Sequence, residues 1–182
     1  MSENRGLYRY NKDGDVNGRS LAFMDKCMVS NPLFDDCMKG CNLLDIGCGN
    51  GRMWKLLHGR FTHIVGLDPY VDTHPNFVYP NCRHKKVTFA GFKTDETFDT
   101  ILFNQSFYLM LDKMVRFKKS FGMLKTEGTI VLIDDASRDD AICHNSTPEL
   151  FYSIERLCWR FKLHRAVEVI ASKTRFTALR SV

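Results

Sequence analysis

The stretch NLLDIGCGNGRMWKLL, Asn42 to Leu57, decides how this chain is read. Leu43-Leu44-Asp45-Ile46 is a short apolar strand carrying one acid. Gly47, Gly49 and Gly51 follow at alternate positions. A helix is then predicted over 52–58, with Met53, Leu56 and Leu57 on one face and Gly59 as its stop. Glycine reaches positive φ at little cost and leaves bare backbone for a close approach. The helix behind such a loop aims free N–H groups into the same space. A loop of this kind cradles a charged or polar ligand, although it can also serve only as a tight turn.

Working outward, strands and helices alternate. HIVGLD (63–68) reads as a second strand closed by Pro69, KVTFA (86–90) as a third and FDTILFN (98–104) as a fourth. Met114, Phe117, Phe121 and Leu124 fall at helical spacing. KTEG turns the chain into a fifth strand, TIVLID (129–134). Thr147-Pro148-Glu149 is a helix start. AVEVIA and TRFTALR, separated by Ser172-Lys173, read as an antiparallel hairpin. Residues 1–40 form a capping segment with a turn at NKDGDVNG, a helix through Leu21, Met24 and Met28, and a break at Asn31-Pro32. The expected fold is α/β: a three-layer sandwich with a mostly parallel seven-stranded sheet, an antiparallel carboxyl-terminal hairpin and helices on both faces. Ligands of such sheets bind beyond the carboxyl ends of the strands, where strand order reverses.

Two acids mark that edge. Asp45 sits in the strand end, where a carboxylate needs a partner. Asp68 ends the second strand, at a place where an acid accepts hydrogen bonds from ribose hydroxyls; its plainer role is to start the turn before Pro69. The dinucleotide fingerprint G-x-G-x-x-G is not met, because Arg52 holds the sixth position. A nicotinamide oxidoreductase is therefore disfavoured.

LLDIGCGNG with IVGLDP instead resembles the class I, Rossmann-like S-adenosylmethionine-dependent methyltransferases. The passage from Phe98 to Asp134 is also similar to that family's fourth-to-fifth-strand region, with Leu124-Lys125-Thr126-Glu127-Gly128 in place of its Leu-Lys-Pro-Gly-Gly turn. The resemblance covers Asn42 to about Val182. It implies S-adenosylmethionine as cofactor. Asp45, Gly47, Cys48, Gly49 and Gly51 would hold its methionine half, and Asp68 with Pro69 its ribose. Gly91 and Phe92 occupy the adenine position, without the acid often found there; Phe92 either packs on the base or belongs to the core. Asn104 and Gln105 would lie near the sulfonium.

Methyl transfer requires an aligned nucleophile, and a base only when that nucleophile is weak. Asn104, Gln105, Ser106, Phe107 and Tyr108 are the candidates near the reacting end, Asp134 and Asp135 end the fifth strand and face the same cleft or merely flank a helix, and Asn104, Tyr108 and Asp134 are the catalytic candidates. The run NQSF is only faintly similar to the Asn-Pro-Pro-aromatic motif of amino-directed nucleic acid methyltransferases, because both prolines are absent. Asn104 also stands where ribose 2′-O-methyltransferases carry an aspartate. Tyr8 and Tyr10 belong to the segment that would close as a lid. His74, Cys82 and His84 form the one compact ligand cluster, and Cys37 with Cys41 a second pair; neither has zinc spacing, and no metal is expected.

Composition bounds the rest. The chain has 182 residues, 44% of them apolar, enough for one domain with a real core. The expected division is a capping segment, 1–40, and a methyltransferase domain, 41–182. No secretory leader and no membrane span are expected. Seven cysteines at irregular spacing argue against a disulfide framework and for a cytoplasmic setting, with the nucleus left open. Net charge is +5, and from Arg156 onward seven basic residues face one acid, Glu168. Such a face suits solvent or RNA. The acceptor is left open between RNA, including cap structures, a small molecule and a protein. The rival reading is a non-catalytic methyltransferase-like subunit that binds a partner protein or RNA.

Overall fold

The computed structural model describes residues 13, 21, 25, 32–135, 163–171 and 174–181. Its strands are β1 (Gly40–Ile46), β2 (Phe61–Leu67), β3 (Cys82–Lys85), β4 (Phe98–Asn104), β5 (Leu124–Asp135), β6 (Leu163–Ala171) and β7 (Thr174–Ser181). They form one sheet in the order β3-β2-β1-β4-β5-β7-β6. β1 to β5 run parallel, and β7 lies antiparallel between β5 and β6. Strand order reverses between β1 and β4, so the glycine loop leaves the sheet at the switch point.

The strands are nearly continuous apolar runs, as a parallel sheet buried on both faces demands. Alternation sorts them into two cores. Leu43, Ile64, Leu102, Val131 and Ile133 share one cluster with Trp54 and Leu57 of α2 (Trp54–Leu57) and Cys37 of α1 (Pro32–Cys37). Leu44, Ile46, Val65, Leu67, Ile101, Phe103, Ile130 and Leu132 share the other with Phe117 of α3 (Lys113–Gly122). In the second, Phe89, Phe103, Phe107 and Phe117 form a chain of edge-on ring contacts with centroids 5.0 to 6.3 Å apart.

Several sequence expectations shift. The third strand is CRHK (82–85), and Lys86–Ala90 is irregular. KVTFA alternates like a strand, but Phe89 is drawn down into the core with Phe92. The true β3 is an edge strand, and its alternation of half-buried and exposed residues hides it from apolar periodicity. The helix expected over 52–58 is a single turn, Trp54–Leu57. KTEG is an excursion inside β5: Phe98 pairs with Leu124 and Thr100 with Thr129, while Glu127 takes φ +62°. The helix expected at Thr147, the expected lid residues Tyr8 and Tyr10, and most of 1–40 lie outside the described residues.

Candidate functional site

The site grows from the end of β1. Gly47, Gly49 and Gly51 take φ of +75°, +56° and +82°, the left-handed region that glycine reaches freely. Side chains press on this loop from below. A Cβ on Gly47 would stand 2.4 Å from that of Ser106, which follows β4 across the switch point. The Ser106 hydroxyl donates to the Ile46 carbonyl and ties the two strand ends together. A Cβ on Gly51 would meet the Trp54 ring at 2.9 Å.

The loop N–H groups are largely spent inside the protein. Gly47 and Cys48 both donate to the Leu67 carbonyl, at 2.8 and 3.1 Å, and Gly51 donates to the Cys48 carbonyl at 3.1 Å. Gly49 donates to Asp68 Oδ2 at 3.1 Å. Asp68 Oδ1 accepts from Tyr70 and Val71 N–H at 2.8 and 3.0 Å. Asp68 therefore starts the turn after β2 and also braces the glycine loop. A carboxylate offers about four lone-pair sites, so one is left for a ligand hydroxyl.

This donor set tests the expected cofactor. A pyrophosphate needs a row of outward N–H donors, and here the donors are committed to Leu67, Cys48 and Asp68. The one-turn α2 adds little dipole. A half-buried carboxylate beside bare glycine backbone instead suits a sugar hydroxyl and a ligand without phosphate. The residues fit S-adenosylmethionine better than a dinucleotide.

Asp45 lies beneath the loop, 1% exposed. Its Oδ2 accepts from Trp54 Nε1 at 3.0 Å, and its Oδ1 is buried without a partner. Burial pushes its pKa from 3.8 up to about 7, against the Trp54 hydrogen bond, with the Asp68 charge adding to the rise. Asp45 thus acts on the loop from the inside, through Trp54. Cys48 is buried, and burial pushes its thiol well above the ordinary value, helped by Asp45 and Asp68.

At the other positions, Pro69 lies in the turn after Asp68 and Gly91 in an exposed turn whose N–H donates to the Thr88 carbonyl. Phe92 is 3% exposed and sits in the core, with Lys85 Nζ 5.0 Å from its ring centroid. Asn104 ends β4, half-buried. Gln105 is strained at φ +56°; its N–H donates to the Ile133 carbonyl at 2.7 Å, and its Oε1 is buried without a partner. Tyr108 lies in the 3-10 turn Phe107–Leu109. Asp134 lies in β5, in register with Arg175 of β7. Asn104, Gln105 and Asp134 share the carboxyl edge of adjacent strands.

Two residues that sequence reasoning passed over shape the site, Trp54 and Gly66, while Ser106, expected near the reacting end, ties the ends of β1 and β4 together. Gly66 is in register with Asp45, and a Cβ there would stand 2.2 Å from Trp54 Cζ2 and 2.8 Å from Cys48 Sγ. The signal was present: an isolated glycine inside the apolar strand HIVGLD marks a close approach. His74 and His84 serve local packing, on Phe77 and near Trp54, and no group of three metal ligands exists among the described residues.

Comparison with known proteins adds the family. Residues 22–175 match the family described as a methyltransferase domain. The chain belongs to this methyltransferase family. It is a family of S-adenosylmethionine-dependent enzymes, and the methyltransferase has the class I Rossmann-like fold. The N-methyltransferase NodS from Bradyrhizobium japonicum WM9, solved with S-adenosyl-L-homocysteine, superposes with a TM-score of 0.66 at 17% identity, covering 94% of this chain and 93% of that one. The ribosomal protein L11 methylase from Lactobacillus delbrueckii subsp. bulgaricus gives 0.62 at 13% identity, over 87% and 79%. A tRNA U34 carboxymethyltransferase from Alteromonas mediterranea is 47% identical over 34 residues, 18% of this methyltransferase. The matched segment spans 10% of that relative's length.

Proposed function

We propose that this methyltransferase seats S-adenosylmethionine at the β1–β2 edge and methylates an RNA acceptor beyond β4 and β5. The observation that carries the reading is the Asp68 carboxylate, bonded to Gly49 N–H beside three left-handed glycines. When bound, the cofactor supplies an electrophilic methyl group. Asp68 holds the ribose, next to Pro69. Gly47, Gly49 and Gly51, backed by Cys48, bear the methionine half, with Asp45 supporting them through Trp54. Gly91 and Phe92 border the base. Asn104 and Gln105 lie towards the reacting end, where Asn104, Tyr108 and Asp134 orient the acceptor. A nitrogen nucleophile needs only this orientation; a hydroxyl also needs a base.

The seven basic residues set against one acid from Arg156 onward support RNA. The short likeness to a tRNA-modifying enzyme adds to it. Residues 1–40 would close over the site, and helices would flank both faces of the sheet; the two core clusters favour that three-layer arrangement. The free cysteines Cys37, Cys41, Cys48 and Cys82 agree with a reducing compartment, the cytoplasm or nucleus. No helix among the described residues is long and apolar enough to cross a membrane.

A second reading is a non-catalytic subunit that serves a partner protein or RNA. The burial of Phe92, which withholds a stacking ring from the base, favours it. Transfer of a tritiated methyl group to RNA, protein and metabolite pools, with Asp68→Ala as control, separates the two. Label in RNA that disappears with Asp68→Ala supports the enzyme. Label in another pool replaces the acceptor, and label in none supports the subunit.

A further inference from the structure

The crossover from β3 to β4, residues 86–97, contains no helix. Parallel strands are usually joined through a helix that satisfies its own backbone. This crossover must find partners for its carbonyls elsewhere. Lys119 of α3 supplies them. Its Nζ donates to the carbonyls of Phe89, Ala90 and Phe92 at 2.7, 3.0 and 2.5 Å. All three ammonium protons are thereby used. The same Nζ stands 5.0 Å from the centroid of the Phe89 ring. Phe89 and Phe92 are buried in one cluster with Phe117, two residues before Lys119 on α3. One cation and two rings therefore pin the crossover to the helix. Burial lowers the Lys119 pKa, with Arg116 and Lys93 adding to the effect, as expected for a cation drawn from water by carbonyl partners.

The crossover begins beside the ribose carboxylate. Asp68 N–H donates to the Lys85 carbonyl at 3.3 Å, and residue 86 follows directly. Movement of residues 89–92 would shift the base side of the site against Asp68.

We propose that Lys119 is a positioning residue that fixes the 86–97 crossover and, through it, the base-binding side of the cofactor site. The second half rests on the proposed function, in which Gly91 and Phe92 border the base. The test compares Lys119→Met, which keeps the stem length but cannot donate, with Lys118→Met, which removes an exposed charge from the same helix. Amide hydrogen exchange is followed over residues 88–93, and S-adenosylhomocysteine binding is followed by calorimetry.

Lys119→Met should speed exchange there and weaken binding by roughly tenfold or more, the scale of losing charge-assisted bonds, while Lys118→Met changes neither. Lys119→Arg should restore both toward wild type, which a role in stem packing alone would not produce. Should Lys119→Met fail to fold, Lys119→Leu, which also cannot donate, takes its place under the same criteria. Unchanged exchange overturns the proposal. Faster exchange with unchanged affinity overturns its cofactor half. A wild-type chain that does not bind the probe defeats the cofactor reading itself; the exchange measurement, which needs no ligand, tells that failure apart.

Discussion

Replacing Asp45 by Asn tests the electrostatics under the glycine loop. The substitution keeps the shape and an oxygen that accepts from Trp54 Nε1, but removes the titration. The folded-state pKa of Asp45 is raised from 3.8 to about 7, first by burial. A carboxyl with a raised folded pKa contributes stability that is fully present below its unfolded pKa and is lost as pH rises through the folded value. The window therefore runs from about pH 4 to about pH 7. At about 1.4 kcal/mol for each pH unit, the displacement corresponds to roughly 4 kcal/mol at most. The assay is urea unfolding of both proteins at pH 4 to 8. Other groups titrate in that range, so the quantity of interest is the difference between the two stabilities. That difference should move against the wild type through the window and level off above it. Parallel curves for the two proteins would refute the assignment of a neutral, desolvated carboxyl at Asp45.

Asp68→Ala should weaken S-adenosylhomocysteine binding by about 1–3 kcal/mol in calorimetry, the cost of unpaired polar groups; an unchanged affinity would remove Asp68 from the site. Gly66→Ala should destabilise by about 1–3 kcal/mol in thermal or urea unfolding, because the new Cβ meets Trp54 at 2.2 Å and Cys48 at 2.8 Å. Gly47→Ala should be destabilised by both its φ of +75° and the contact with Ser106, and Ser106→Gly in the same chain should recover part of the loss; an additive double variant would deny that contact. The triple change Arg160→Glu, Lys162→Glu and Arg165→Glu should reduce retention on an RNA column, and unchanged retention would remove the case for an RNA acceptor.

Much of the fold was legible in the sequence because its strands are unambiguous. Leu43–Ile46, Ile64–Leu67 and Ile101–Phe103 are short, largely apolar runs ended by Gly47, Asp68 and Asn104, and all three fall in the central strands. The hairpin was equally plain, since AVEVIA and TRFTALR flank a two-residue gap and pair as β6 and β7. Errors arose where tertiary packing overrode pattern. Phe89 gives KVTFA the look of a strand, yet its ring is needed in the core, and the edge position passes to the polar CRHK. Met53, Leu56 and Leu57 suggest a longer helix than the single turn that forms, because the loop before it is already bonded to Leu67 and Asp68.

At the site, the glycines and Asp68 were legible because backbone conformation and strand ends leave marks in sequence. The contacts that brace them were not. Trp54 and Asp45 are nine residues apart, Gly47 and Ser106 farther still, and only the register of β1 with β2 and β4 brings such groups together. Lys119 was hidden for the same reason: nothing local in a basic helix announces three carbonyls from a crossover some thirty residues earlier.

The central claim is that the carboxylate ending β2 and the glycines ending β1 jointly seat an adenosyl cofactor. Calorimetric titration of the whole chain with S-adenosylhomocysteine, with adenosine and NAD alongside, tests it most directly. Saturable one-to-one binding of S-adenosylhomocysteine, weaker binding of adenosine and none of NAD is the expected result. No heat with S-adenosylhomocysteine, or tighter binding of the dinucleotide, would contradict it.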